Sequence, residues 1–87
     1  RHRMWVDIDT QIVAIDGVEH QVASLLAVRW LNVLLQRANE WVSSAELSEI
    51  DPKLNGALTH RLKKSFPKPI LTLIESKRGT GSRLLLS

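Results

Sequence analysis

The sequence predicts a single α+β domain with an N-terminal antiparallel sheet, three helices and a C-terminal β-hairpin. Three observations lead there. Apolar and polar residues alternate up to a tight-turn dipeptide at Asp16-Gly17. Apolar residues then recur at helical spacing from Leu25 to Phe66, and two short apolar runs flank a basic, glycine-rich segment at residues 77–82. With 87 residues, 44% of them hydrophobic and 24% charged, the chain has room for one core and not for two.

Trp5-Val6-Asp7-Ile8-Asp9 alternates apolar and polar residues, as Ile12 to Ile15 does less strictly, with a first turn expected near Thr10-Gln11. Asp16-Gly17 tolerates the positive φ angles of a two-residue hairpin turn, and Val18 to Val22 is the return strand. Trp5 is expected to pack on this sheet. Arg1 to Met4 precede the pattern and are expected to be a tag remnant or a frayed end, so the domain itself spans residues 5–87.

Ser24 is the expected N-cap of the first helix. In that helix Leu25, Val28, Leu31, Leu35 and Ala38 form a stripe widened by Leu26, Trp30, Val33 and Leu34. So broad an apolar face must be buried on more than one side, and Trp30 and Trp41 are read as core. Asn39 can close the helix in the left-handed region. Ser43-Ser44-Ala45-Glu46 has the capping-box spacing for a second, short helix through Glu49. Asp51-Pro52 then starts a third, because proline fits the first helical turn and the aspartate can accept free backbone N–H groups. Leu54, Leu58, Leu62 and Phe66 lie four apart on its core face and turn Lys53, Gly56, His60 and Lys64 outward. Pro67-Lys68-Pro69 ends it, and Ile70 to Ser76 and Arg83 to Leu86 are the hairpin strands.

Several chemistries are excluded. The chain has no cysteine, hence no disulfide framework or thiolate metal site, a composition that permits a cytoplasmic location without establishing it. The apolar stretch from Val22 to Ala38 is broken by Arg29, Asn32, Gln36 and Arg37, so it is an amphipathic helix and no membrane partner is expected. His2, His20 and His60 fall on three different elements without ligand spacing, and no metal or other cofactor is expected. Asp7, Asp9 and Asp16 lack a histidine partner and are read as an exposed sheet face, so no catalytic residue is assigned and the chain is not read as an enzyme.

Charge is distributed unevenly. Residues 1–50 carry four arginines against seven carboxylates, a net of −3, whereas residues 51–87 carry eight lysines and arginines against two carboxylates, a net of +6. A basic half on a small domain is the usual footprint of phosphate-backbone binding, although a merely solvated cationic face has the same composition. Two short helices followed by a basic hairpin have the order of a winged helix-turn-helix, in which a helix suits the major groove and the hairpin reaches a neighbouring minor groove.

Ile74-Glu75-Ser76-Lys77-Arg78-Gly79-Thr80-Gly81-Ser82-Arg83-Leu84 resembles the wing signature of the OmpR/PhoB-type winged-helix domain of bacterial two-component response regulators. His60-Arg61-Leu62-Lys63-Lys64 is similar to the end of that family's recognition helix. Val28-Arg29-Trp30-Leu31 and Val42-Ser43-Ser44-Ala45-Glu46-Leu47 resemble its two preceding helices. The resemblance implies sequence-specific binding of double-stranded DNA for transcription regulation, in a chain that can also carry a receiver or sensor domain; a homodimer on DNA is among the states it allows. It places the base-reading arginine at Arg61, a small groove-facing position at Ala57, the minor-groove arginine at Arg78, and phosphate contacts at Ser76, Lys63 and Lys64. With Lys53 and His60 on the same outward face and Lys77 and Thr80 at the wing tip, these make up the expected DNA-facing set.

The chain departs from the pattern in three places. Ser82 stands where the family has a tyrosine, which predicts a looser wing. The connection after Ile50 is too short for the family's polymerase-contacting loop. The expected core leucine, Leu58, is one position from its place in the family, so the outward face of the third helix could be rotated. Together with the modest total charge of +3, these departures keep open the alternative of a protein-interaction or assembly module that does not read DNA.

Overall fold

The computed structural model describes residues 2–86. Strands β1 (Met4–Asp7), β2 (Ile12–Ile15) and β3 (Val18–Gln21) form an antiparallel sheet in that order. Ile15 pairs with Val18 across a two-residue turn whose central residues, Asp16 and Gly17, both have positive φ. The sheet begins one residue earlier than expected. The His2 ring lies 2.8 Å from the Asp16 carboxylate, and the Arg3 backbone N–H donates to the same group; Arg1, the first residue of the expected tag or frayed end, lies outside the described residues. Val13 and Ile15 face the core, while Trp5, expected to be packed, is 48% exposed.

Helix α1 (Leu25–Gln36) is the hub and touches both sheets and the helices after it. Ser24 caps it as expected, its hydroxyl accepting the Ala27 N–H at 3.1 Å. Trp30, Leu31 and Leu34 are fully buried, and the Trp30 ring meets Phe66 at a centroid distance of 6.1 Å. Asn39 is left-handed as expected, but the helix ends earlier, with its C-cap at Arg37. Asn39 instead staples the end of the chain: its N–H donates to the Leu84 carbonyl and its side-chain oxygen accepts the Leu86 N–H, both at 2.8 Å. Helix α2 (Ser44–Ile50) begins with the full capping box between Ser43 and Glu46.

The third helix departs from expectation. Asp51 does act as a cap, accepting the Lys53 N–H at 3.1 Å, but it opens only a single 3-10 turn, Pro52–Leu54. Asn55 is extended and Gly56 has a φ of 76°, so the chain reverses before α3 (Thr59–Lys63) starts. Asn-Gly is a strong turn former and glycine a poor helix residue, and together they override the four-residue leucine spacing. Leu54, Leu62 and Phe66 still reach the core, but Leu58 precedes the helix and is 51% exposed. Residues 68–71, expected to end a helix and open a strand, form a fourth helix, α4 (Lys68–Leu71), because Pro69 falls in its first turn, where a missing N–H is harmless.

Strands β4 (Ile74–Lys77) and β5 (Gly81–Leu84) form the C-terminal hairpin. It is not loose. Ser82 is buried, its backbone exchanges two hydrogen bonds with Val42 at 2.8 and 3.0 Å, and its hydroxyl meets that of Ser76 at 3.0 Å. At Ser82 the segment before α2 lies directly against the wing through a single antiparallel bridge with Val42. Gly81 serves the same approach: at a φ of 126°, an added Cβ would sit 2.7 Å from the Val42 carbonyl carbon and nearer still to its oxygen. Beside this seam the Arg83 guanidinium stacks 4.4 Å over the half-buried Trp41 ring and pairs with Glu75. Among the described residues no helix is long and apolar enough to cross a membrane. The architecture is that of a winged helix.

Candidate nucleic-acid interface

The N-terminal ends of α2 and α3 open toward the wing and enclose with it an open cleft of about 850 Å³. Ser43, Ser44 and Ala45 form one wall, Ala57 to His60 with Lys63 a second, and Ser76 to Ser82 the third. Seven of the ten expected residues line it together: Ala57, His60, Lys63, Ser76, Lys77, Arg78 and Thr80.

Helical geometry explains the division among the others. Successive residues advance by about 100° around α3, so with Leu62 buried, His60 and Lys64 point away from the core. Lys63 falls on the flank nearer the wing and Arg61 on the opposite flank. Arg61 and Lys64 are exposed beside the cleft, and Lys53 is exposed on the 3-10 turn. His60 and Lys63, not Arg61, line the cleft that α3 shares with the wing.

Pairing of charges sharpens the electrostatics. Arg29 grips Asp51, with its Nε and Nη2 at 2.8 and 2.9 Å from the two carboxylate oxygens, and Arg37 is bound to Glu46 and more loosely to Glu40. The hydrogen bond from Arg37 holds the Glu46 carboxyl below its usual value, and that from Arg29 does the same for Asp51. These arginines are neutralised within the fold. Lys53, His60, Arg61, Lys63, Lys64, Lys77 and Arg78 have no carboxylate partner among the described residues, and no carboxylate lines the cleft. Of the lysines and arginines without a carboxylate partner among the described residues, Arg61, Lys63, Lys64, Lys77 and Arg78 lie on α3 or the wing and Lys53 on the 3-10 turn, while Arg3 and Lys68 lie elsewhere.

Two cleft residues carry no functional signal in the sequence. Leucine spacing assigns Leu58 to the core, and only the Asn55-Gly56 break signals otherwise. Thr59, at the start of α3, belongs to no motif. Among the described residues no three His, Asp or Glu side chains are placed to hold a metal ion.

No family model matches the sequence, and no curated protein matches it significantly. Among solved structures, the chain is similar to the DNA-binding domain of E. coli CadC, with a TM-score of 0.64 over 99% of this chain and 92% of that one. Sequence identity is 15%, so the likeness is one of fold.

Proposed function

We propose that this domain binds double-stranded DNA for transcription regulation, with the exposed face of α3 in the major groove and the Lys77–Thr80 wing tip in the neighbouring minor groove. The observation that carries this reading is the alignment of unpaired cations from two elements along one edge, around a cleft free of carboxylates. The fold shared with a DNA-binding domain supports it. A helix of about 10–12 Å diameter matches a major groove about 12 Å wide, and a hairpin is narrow enough for the minor groove.

Within this reading Arg61 donates two hydrogen bonds to a guanine edge, and Arg78 suits a narrow A·T-rich minor groove. Lys53, Lys63, Lys64 and Lys77 act as point charges on phosphates, while His60, Ser76 and Thr80 offer polar contacts and Ala57 leaves room for the backbone. A randomised-duplex selection on the domain tests it. A defined motif should emerge, Arg61→Ala should relax one position at a loss of about 1–3 kcal/mol, and Lys63→Ala should weaken all duplexes alike. Recovery of no motif would contradict sequence-specific binding.

One observation favours a second reading, a module that binds a protein partner: the exposed Leu58 puts a large apolar side chain in the cleft. That reading predicts association insensitive to salt, whereas DNA binding should collapse between low and moderate salt.

A further inference from the structure

Leu58 occupies a position where neither folding nor general phosphate binding accounts for a leucine. It is the N-cap residue of α3, makes no capping hydrogen bond and is 51% exposed. Leucine is among the poorer residues at an N-cap, where Ser, Thr, Asn or Asp would accept a free backbone N–H. Its side chain adds nothing to the buried core, which Leu54 and Leu62 supply on either side. It faces the cleft between Ala57 and His60, with Lys63, Lys77 and Arg78 around the rim.

We infer that Leu58 is a specificity-determining residue that reads the 5-methyl group of a thymine in the major groove, an inference that rests on the DNA-binding reading above. In a helix-turn-helix the N-terminal end of the recognition helix is the part that meets base edges, and Leu58 stands at that end of α3. The only apolar group that a base pair presents in the major groove is the thymine methyl, and an aliphatic side chain discriminates for it by burying it. The cationic rim selects the polyanion that would bring such a methyl into the cleft and disfavours an acid-poor apolar peptide. His60 and Lys63, two and five residues further on, line the same cleft and can hold the flanking backbone.

The test uses the best duplex from the selection, with each thymine in turn replaced by deoxyuridine, which removes only the methyl group. The wild-type domain should lose about fourfold in affinity at one thymine, the equivalent of about 0.8 kcal/mol for a buried methyl group. Leu58→Ala, checked for its fold by circular dichroism, should bind the thymine duplex about as weakly as the wild type binds the uridine one, and should not distinguish the two. If both proteins bind duplex tightly but respond equally to every replacement, Leu58 does not read a methyl and the inference fails alone. If neither binds any duplex while Leu58→Ala abolishes binding of a protein, the DNA-binding reading falls as well.

Discussion

Gly81 and Gly79 both have positive φ angles, 126° and 81°, yet alanine should affect them very differently. At Gly79 an added Cβ meets nothing within 4 Å. A left-handed L-residue costs about 1–2 kcal/mol, and stiffening the unfolded chain returns about 0.4–1, so Gly79→Ala should destabilise by about 1 kcal/mol. At Gly81 the same strain is joined by a collision with the Val42 carbonyl. Relieving that collision must push the Val42 segment off the wing and break the hydrogen-bond pair between Val42 and Ser82. Each bond is worth about 1 kcal/mol net, and leaving buried backbone groups unpaired adds about 1 kcal/mol apiece, which brings Gly81→Ala to about 3–5 kcal/mol. Urea unfolding followed by tryptophan fluorescence resolves such a difference, because the slope for a small domain is about 1–3 kcal/mol per molar urea. Equal midpoints for the two variants would refute the seam between Val42 and the wing.

Three further outcomes are expected. Leu62→Ala should lose about 2–5 kcal/mol from the core, whereas Leu58→Ala should stay within about 0.5 kcal/mol of wild type in the same titration; comparable losses would restore a continuous third helix with both leucines inside. Arg83→Ala should cost about 1 kcal/mol and shift the Trp41 emission by removing the stacked cation, and an unchanged spectrum would count against that contact. The folded state holds the carboxyls of Asp16, Glu46 and Asp51 below their usual values, through the Arg3 N–H, the Arg37 guanidinium and the Arg29 guanidinium respectively. The unfolded chain therefore takes up protons first as pH falls through about 4. Stability from these groups is fully present above that range and lost below it, so urea midpoints should drop between about pH 5 and 3, and less so in Asp51→Asn.

Where local chemistry decides a structure, the sequence is readable. Asp16-Gly17, Ser24 and the Ser43/Glu46 box each satisfy backbone demands within a few residues, and each sits where its residue types predict. The third helix is not readable in this way, because leucine spacing is a property of separation alone. The spacing persists across Asn55-Gly56, where the chain reverses, and so it places Leu58 inside. The seam beside the wing is hidden for a different reason: Ser82 bridges to Val42, some forty residues earlier, and a serine offers no sign of so distant a partner. In the cleft, the basic wing and Lys63 are legible from charge and motif. The division between Lys63 and Arg61 depends on the rotation of a five-residue helix that periodicity cannot locate.

The most direct measurement is the salt dependence of binding to a selected duplex, for the wild type and for a variant carrying Lys63→Ala, Lys77→Ala and Arg78→Ala. Each phosphate neutralised contributes about 0.9 to the slope of log affinity against log salt, so the triple variant should lose about 2.7 from that slope. Its fold should be intact, since all three side chains lie outside the core and carry no ion pair among the described residues. A wild-type affinity that does not change with salt, or a slope that the triple variant leaves untouched, would contradict DNA binding at the α3 and wing edge.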